Sequence, residues 1–333
     1  MQIHITKICG MAGAALLAQD GVVEAAKRLG AKELFLEHRS FYDDYWNTIN
    51  HNLDGAIAAL NFNDIVIFQY PSWNSLDYDM RLVEKIRAYS GTKLVIFVHD
   101  FQQLMFDSGP HILEREICLL NTADALILPS KTLHQYLKQH GLRKELPANY
   151  QVIFEMPGFP CFTEHANLRR FCFTGNYQRF PFLLDYHGKT VLEYFDGQKP
   201  SREDDASLCW KGYYTPVELM QELARGGYGL VWSGKEYFDR YYSLNQPHKL
   251  GFNLSAGIPV IIRAGGTHED LVRRNGLGFV VNSLNEADEK IQNTTDKEYA
   301  QLCSNVRKMQ QLMLQGWYTQ KLLLDTLIPL MER

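Results

Sequence analysis

Two positively charged side chains lie in positions that are typical of phosphate-binding sites, one directly after a predicted strand and one at the start of a predicted helix. Arg179 follows Gly175 in a turn directly after the predicted strand Arg170–Thr174, and the five fixed donors of a guanidinium suit phosphate oxygens. Lys249 lies in the first turn of a helix predicted over His248–Ala256. A cation at that end opposes the helix dipole unless an anion lies nearby. The alternatives are a plain turn with a surface arginine and a solvated lysine, and spacing alone does not decide between them.

Polar side chains also follow two predicted strands of the first half. Trp73 and Asn74 come shortly after one apolar run, and His99 and Asp100 directly follow the run Leu94–Val98. Open parallel sheets bind ligands at the carboxyl ends of their strands. Either His99 or Asp100 has the chemistry of a general base for a hydroxyl group. A simple hydrogen bond within the loop is the alternative for both.

A Gly-Gly turn precedes another predicted helix in the second half. Gly265 and Gly266 follow a strand predicted over Pro259–Ile262, and such a turn lets the backbone approach a ligand closely. Glu269 follows in the first turn of the helix. It has two interpretations, either an acceptor for sugar hydroxyls or a carboxylate that offsets the helix dipole.

Other patterns that resemble metal or dinucleotide sites do not fit. Asp77 and Asp79 form an Asp-x-Asp pair of the kind some sugar transferases use for a divalent metal, but they open a predicted helix, where acids cap and offset the dipole. The histidines lack the spacing of zinc ligands. Gly10 and Gly13 lack the spacing of a dinucleotide loop. The sequence therefore predicts no bound metal and no nicotinamide cofactor.

An alternation of strand and helix patterns must position these residues. Short β-branched runs separated by helices of about 10–12 residues are typical of a parallel sheet covered on both faces. The alternation ends with a strand predicted over Gln151–Phe154, is interrupted by a Pro- and Gly-rich linker near residues 156–168, and restarts at Arg170. Two α/β domains are the simplest organisation for a chain of 333 residues.

Composition excludes several classes of protein. Hydrophobic residues make up 46% of the chain, charged residues 22%, and the net charge is −4, so no overall charge draws the chain to nucleic acid. The longest apolar runs are far shorter than the roughly 18 residues of a membrane span. The six cysteines are scattered without a Cys-x-x-Cys motif, which favours reduced thiols in a cytoplasmic protein.

Several of these segments occur together in one order, and the combination is more specific than any one of them. The segments are, in chain order, Asp64–Asn74, Phe97–Asp100, Gly175–Phe180, Gly226–Trp232, Lys249–Gly251 and Ala256–Ile261. With these segments in this order, the chain resembles the bacterial glucosyltransferase 3 family, whose members extend O-linked GlcNAc on serine-rich repeat adhesins.

The resemblance implies the GT-B fold, in which two doubly wound Rossmann-like domains face an interdomain cleft. Residues 1–157 would form the acceptor-side domain and residues 158–316 the domain that binds a UDP-sugar. The C-terminal helix, residues 317–333, would pack back on the first domain. The resemblance further implies a UDP-sugar donor with no metal or other cofactor, and a homo-oligomer, with a tetramer as one candidate.

The resemblance also assigns roles to individual residues. Arg179 and Lys249 would hold the pyrophosphate, and Tyr214 would contact the nucleotide. On the acceptor side, GlcNAc would lie against Trp73 and Asn74, and His99 or Asp100 would be the base if the enzyme inverts. The remaining residues that would line the donor site are Asn176, His248, Leu250, Gly251 and Phe252.

The function that follows is transfer of a hexose, with glucose as the first choice, from a UDP-sugar to GlcNAc O-linked to serine or threonine of a serine-rich repeat glycoprotein. Two departures from the family pattern bear on the hexose, namely the apolar stretch Met11–Ala15 and the pair Pro247-His248. The alternatives are a transferase for UDP-galactofuranose or another UDP-sugar in cell-surface polysaccharide, and a non-catalytic partner subunit. The sequence leaves the donor hexose, the linkage and the stereochemistry open.

Overall fold

The computed structural model describes residues 1–38, 46–106, 109–163, 165–202 and 205–332. The chain divides into two units, one formed by Met1–Val152 with Gly316–Arg333 and the other by Ile153–Gln315. The linker predicted near residues 156–168 includes position 164, which lies outside the described residues. Among the described residues, no helix combines the length and the hydropathy that crossing a bilayer requires.

The N-terminal unit is built on a sheet of six parallel strands in the order β2-β1-β3-β4-β5-β6. Every residue of β3 is buried, as expected for a strand covered by helices on both faces. The neighbours β3 and β4 end in register, with Tyr70 opposite Val98, so the loops that follow them leave the same edge of the sheet. The strands are β1 (Ile3–Cys9), β2 (Lys32–Glu37), β3 (Ile65–Tyr70), β4 (Lys93–Val98), β5 (Ala125–Leu128) and β6 (Ala148–Tyr150).

The helices of this unit connect the parallel strands, as βαβ crossovers require. At the start of the third helix the Ser75 hydroxyl accepts a hydrogen bond from the Tyr78 N–H, at 3.1 Å, and forms its N-cap. The helices are α1 (Ala14–Arg28), α2 (Trp46–Ala56), α3 (Leu76–Arg87), α4 (Gln102–Phe106), α5 (Pro110–Leu120) and α6 (Lys131–Gln139).

The C-terminal unit repeats the architecture with a second sheet of six parallel strands, in the order β12-β11-β10-β7-β8-β9. Its strands are β7 (Ala166–Thr174), β8 (Val191–Phe195), β9 (Leu208–Gly212), β10 (Gly226–Val231), β11 (Val260–Arg263) and β12 (Gly278–Val281). Its helices are α7 (Phe182–Asp185), α8 (Pro216–Ala224), α9 (Glu236–Tyr242), α10 (His248–Ser255), α11 (Glu269–Asn275), α12 (Leu284–Asn293) and α13 (Asp296–Met313).

The last helix, α14 (Trp317–Met331), belongs to the N-terminal unit. The Asn149 side chain at the end of β6 donates to the hydroxyl of Thr326 over 3.0 Å. The apolar face of α14 enters the core beside Ile65 of β3, and the side chains that it buries there are Leu322, Leu323, Leu327 and Leu330.

One predicted strand is wrong. The last strand of the N-terminal sheet is Ala148–Tyr150, not Gln151–Phe154, and its hydrogen bonding ends where the Gln151 N–H donates to the Leu128 carbonyl. The apolar side chains of Ile153 and Phe154, which suggested a strand, are buried in the C-terminal unit instead.

Candidate active site

The loop after β7 is shaped by Gly175 and Asn176. Gly175 has φ +146°, and a Cβ there would lie 2.9 Å from the ring of Phe180, so a side chain would strain both backbone and ring. The side-chain oxygen of Asn176 accepts from the backbone N–H of Gln178, at 2.8 Å, and of Arg179, at 3.4 Å. This turn brings Arg179 and Phe180 to the carboxyl edge of the sheet. Asn176 therefore shapes the loop that carries Arg179.

Arg179 and Lys249 meet on one aromatic ring. The Lys249 Nζ lies 4.2 Å from the ring centroid of Phe180 and 5.4 Å from that of Phe173. The Arg179 Cζ lies 5.7 Å from the same Phe180 centroid and 4.8 Å from that of Phe238. Within the described part of the chain, neither cation forms an ion pair with a carboxylate. Two like charges are thus held together by aromatic faces alone.

The protonation of Lys249 reflects this arrangement. Burial of the ammonium group, together with the nearby charge of Arg179, lowers the pKa of Lys249 to about 7. An anion bound beside the two cations would raise the pKa of Lys249 again, because its charge would oppose the effects of burial and of Arg179. Burial, followed by the charge of Lys249, also lowers the pKa of His248 to about 4, so its imidazole is neutral at pH 7.

Helix α10 starts at this point. Pro247 precedes it and supplies no side-chain cap, so the positive end of the helix dipole is not offset by a side chain of the cap residue. Gly251 is required in its second turn, because a Cβ would lie 2.0 Å from the carbonyl oxygen of Phe154. The Asn253 amide donates to the Lys249 carbonyl at 2.8 Å. A helix start beside two cations is a favourable place for a diphosphate.

The remaining predicted donor residues have different environments. Leu250, Gly251 and Phe252 are buried and pack inside the unit, whereas His248 and Lys249 are partly exposed. The ring of Tyr214 follows β9 and packs edge-to-face on Phe195, with centroids 5.5 Å apart. One strand, β8, separates β9 from β7. The loop that carries Tyr214 therefore leaves the same edge of the sheet two strand spacings, or roughly 10 Å, from the loop that carries Arg179.

A cavity of about 70 Å³, open to solvent, adjoins the Gly-Gly turn. The guanidinium of Arg263 lies over the ring of Trp232, 5.6 Å from its centroid, and pairs with Asp239. The Glu269 carboxylate accepts hydrogen bonds from nearby residues of the same segment. The donors are the Gly265 N–H in the preceding turn and the Arg273 guanidinium in α11, each at 2.8 Å. These bonds lower the pKa of Glu269, and they match the dipole-partner interpretation.

Sequence reasoning missed the aromatic support of the two cations and the lining of this cavity. Phe180 directly follows Arg179 in an Arg-Phe-Pro-Phe segment, which was the one available signal. Its contact with Lys249 joins residues far apart in the chain and could not be inferred from spacing. For the cavity, only the Gly265-Gly266 turn gave any indication.

On the N-terminal unit, His99 is held inside the protein. Its ring is 2% exposed and stacks on Phe97 at 4.7 Å. The Gln69 amide nitrogen donates to the Thr6 carbonyl over 2.7 Å, which leaves the amide oxygen facing His99 Nε2 at 2.9 Å. The Nε2 of His99 therefore donates to the Gln69 side-chain oxygen. The next residue, Asp100, is partly exposed.

The loop that carries Trp73 and Asn74 follows a cis peptide bond between Tyr70 and Pro71. Trp73 has φ +65°, a left-handed conformation that bulky residues rarely adopt. The Asn74 amide donates to the Glu37 carbonyl at 3.1 Å, and the Asn74 N–H donates to the Ser72 hydroxyl at 3.3 Å. The loop thus holds an unfavourable conformation beside the end of β4.

The Asp-x-Asp pair takes part in contacts within the protein. Asp77 forms an ion pair with Arg115, and Asp79 is fully buried, where it accepts from the Ser72 N–H at 3.2 Å. Both acids lie in the first turn of α3, as the helix-start interpretation predicts, and Asp79 additionally supports the preceding loop. Among the described residues, no three His, Cys, Asp or Glu side chains converge as metal ligands would.

Comparison with known proteins identifies the class. The glucosyltransferase 3-like N-terminal domain matches residues 2–148, and the glucosyltransferase 3-like C-terminal domain matches residues 171–326. The crystal structure of Anabaena Alr3699/HepE in complex with UDP superposes with a TM-score of 0.65 at 13% identity, over 99% of this chain and 100% of that one. The fold is GT-B, as the sequence resemblance implied, and the protein is a glycosyltransferase.

Two relatives define the family. Glucosyltransferase 3 of Streptococcus gordonii is 33% identical over 100% of both chains. Glucosyltransferase 3 of Streptococcus parasanguinis is 33% identical over 98% of both chains. The chain belongs to the glucosyltransferase 3-like family.

Proposed function

We propose that this glycosyltransferase transfers glucose from UDP-glucose to GlcNAc that is O-linked to serine or threonine of a serine-rich polypeptide. The observation that carries the donor assignment is the pair of cations on Phe180, Arg179 and Lys249, which lack an anionic partner in the described chain. A nucleoside diphosphate supplies the missing charge. The names of the streptococcal relatives support glucose, and the UDP bound in HepE supports the nucleotide.

The reaction breaks the bond between C1 of the sugar and an oxygen of the β-phosphate. The electron pair of that bond stays with UDP, so negative charge grows on the β-phosphate oxygens. We assign the stabilisation of that charge to Arg179, Lys249 and the first N–H groups of α10, because the two cations share the ring of Phe180 and the helix start has no side-chain cap. One preorganised donor of this kind contributes roughly 3 kcal/mol to transition-state stabilisation.

The acceptor hydroxyl of GlcNAc forms the new bond to C1 and loses its proton. In a direct displacement, we assign the proton to the carboxylate of Asp100, because Asp100 is partly exposed while the ring of His99 is buried against Phe97. Trp73 offers an aromatic ring and Asn74 a polar side chain in the neighbouring loop. Both suit a sugar ring with its hydroxyl groups.

A panel of donors tests the proposal. The protein is incubated with UDP-glucose, UDP-GlcNAc or UDP-galactofuranose and a peptide that carries O-linked GlcNAc, and release of UDP is measured. We expect the fastest release with UDP-glucose, and only with the glycosylated peptide. Preference for UDP-galactofuranose would contradict the glucose assignment. No release with any donor would contradict the enzymatic role and favour a non-catalytic partner.

We also propose that the reaction needs no divalent metal. Arg179 and Lys249 supply the positive charge that a metal ion supplies in other transferases, and Asp77 is paired with Arg115. Turnover should be unchanged in excess EDTA. Loss of turnover with EDTA and recovery with Mn²⁺ would contradict this proposal.

The homo-oligomer and the cytoplasmic location stay predictions. Each chain has a mass of 38.4 kDa. Light scattering on the purified protein should give at least twice that mass, as a whole-number multiple. The mass of a single chain at micromolar concentration would contradict the oligomer.

A further inference from the structure

Two carboxyl groups of the N-terminal unit are buried, and the proposed chemistry does not use them. Asp79 of α3 and Glu116 of α5 are each 0% exposed. Burying a carboxylate is costly unless it is paired or hydrogen-bonded. Neither forms an ion pair within the described chain. Their hydrogen bonds go to the loops that follow β3 and β4.

Asp79 supports the loop that carries Trp73. Its Oδ2 accepts from the Ser72 N–H at 3.2 Å, and the Ser72 hydroxyl accepts from the Asn74 N–H at 3.3 Å. Trp73 lies between these two bonds, with φ +65°. A bulky residue keeps such a conformation only where the surrounding structure imposes it. Asp79 and Ser72 impose it here.

Glu116 supports the segment that follows Asp100. Its Oε1 accepts from the Gln102 N–H at 2.9 Å, and its Oε2 accepts from the Gln103 N–H at 3.1 Å. These two residues start α4, so Glu116 satisfies N–H groups that a helix start leaves without partners. The start of α4, two residues after Asp100, is therefore fixed to α5.

The two carboxyl groups also belong to one cluster. The Tyr70 hydroxyl, at the end of β3, donates to Glu116 Oε1 at 2.5 Å. Burial and the charge of Glu116 both raise the pKa of Asp79, and burial raises the pKa of Glu116. The cluster thus joins the end of β3, helix α3 and helix α5 beneath the two loops.

We propose that Asp79 and Glu116 are positioning residues for the acceptor, Asp79 through Trp73 and Asn74, and Glu116 through Asp100. The inference rests on the proposed function, because it assumes that these two loops bind the acceptor sugar. Positioning of reacting groups matters at this scale, since a displacement of about 1 Å costs on the order of 100-fold in rate.

Substitution of Asp79 and substitution of Glu116 should change different kinetic constants. Asp79→Ala loosens residues that bind the acceptor, so we expect KM for the glycopeptide to rise about 10-fold, with kcat changed much less. Glu116→Ala displaces the base, so we expect kcat to fall about 10- to 100-fold. The Kd for UDP, measured by calorimetry, should stay unchanged in both, because the cations that hold the diphosphate belong to the other unit.

Conservative variants separate positioning from general stability. Asp79→Asn keeps an oxygen for the Ser72 N–H, so it should restore most of the acceptor KM. Leu82→Ala, also on α3 and 0% exposed, destabilises the same helix without removing a hydrogen bond to the loop and should leave the acceptor KM unchanged. If Asp79→Ala does not fold, Ser72→Ala removes the link to Asn74 and the Ser72 side-chain bond to Asp79 while both carboxyl groups stay in place, and KM for the acceptor should rise severalfold.

The outcomes are distinct. An unaltered protein that releases no UDP from any donor contradicts the proposed function, and the inference falls with it. Turnover by the unaltered protein, combined with an unchanged acceptor KM in Asp79→Ala or Ser72→Ala, contradicts the inference alone. An equal rise in KM in Leu82→Ala, or a matching loss of UDP affinity, would show a merely structural role and also overturn the inference.

Discussion

The carboxyl edges of the two sheets differ in whether their charged or buried polar side chains find polar partners within the protein. In the C-terminal unit, Arg179 and Lys249 lie against Phe180 without a carboxylate partner among the described residues. In the N-terminal unit, the buried carboxyl groups of Asp79 and Glu116 accept hydrogen bonds from the loops beside them. The first edge lacks a carboxylate counter-charge within the described part of the chain. At the second edge, the buried acids accept hydrogen bonds from backbone groups of the same unit.

This difference decides how each edge must be tested. A site that lacks an anion responds to ligand charge and to pH, because the ligand changes the free energy of the charged groups. A site that is already hydrogen-bonded responds to loss of geometry, because its residues act through the backbone that they hold.

The first prediction removes support from the N-terminal unit alone. Leu323 of α14 is 0% exposed in the core of that unit, so Leu323→Ala should lower the free energy of unfolding by about 2–5 kcal/mol. The matched control is Leu324→Ala on the same helix, where the side chain is 41% exposed and the cost should be small. Denaturant unfolding measures both. Equal losses in the two variants would contradict the packing of α14.

The second prediction concerns Asp79 and pH. The pKa of Asp79 is raised from 3.8 to about 7 by burial and by Glu116, so the native state binds this proton more tightly than the unfolded state. The free energy of unfolding should therefore fall as pH rises from about 4 to 7, by roughly 2–4 kcal/mol for this group. Asp79→Asn should make the free energy of unfolding depend less on pH. Part of the dependence should remain, with the same sign, because burial also raises the pKa of Glu116. An unchanged slope in denaturation at several pH values would contradict the buried, protonated Asp79.

The third prediction removes a charge from the other edge. Lys249→Ala should weaken UDP binding about 10- to 150-fold, which corresponds to one charge-assisted contact of about 1.5–3 kcal/mol. Lys308→Ala, an exposed lysine of α13, is the control and should bind UDP normally. Calorimetry measures both affinities. Equal affinities for the two variants would remove Lys249 from the diphosphate site.

The fourth prediction uses the titration of Lys249. Its pKa is about 7 without ligand, and a bound diphosphate raises it, so binding above pH 7 takes up a proton. Affinity for UDP should fall by up to about tenfold per pH unit between pH 7.5 and 9. Lys249→Ala should lose this dependence. Calorimetry in buffers of different ionisation enthalpy measures the proton, and a pH-independent affinity of the unaltered protein would be inconsistent with it.

The two edges also differ in how far the sequence predicts them. Alternating apolar runs and helical spacing predict both parallel sheets. The strand ends locate Arg179, His99 and Asp100, and a helix start locates Lys249. Turn and helix-start chemistry gave these positions from local residues. The strand at Gln151–Phe154 was wrong, because the apolar side chains there serve the core of the C-terminal unit.

Contacts between distant segments could not be predicted. Phe180 contacts Lys249 across 69 positions, and nothing in the local pattern links them. Asp79 has the same spacing signal as the exposed Asp77, yet the fold buries only Asp79. Whether a carboxylate at a helix start faces solvent or supports a loop is decided by packing against α5. The sequence therefore predicted the positions of Arg179 and Lys249 better than the buried supporting contacts of Asp79 and Glu116.

The central claim is that Arg179 and Lys249 form the diphosphate site, and a thermodynamic cycle tests it most directly. Calorimetric affinities are measured for UDP and for uridine, each with the unaltered protein and with Lys249→Ala. The account predicts that the substitution costs about 10- to 150-fold for UDP and almost nothing for uridine, which lacks phosphate. An equal loss for both ligands, or no loss for UDP, would contradict the account.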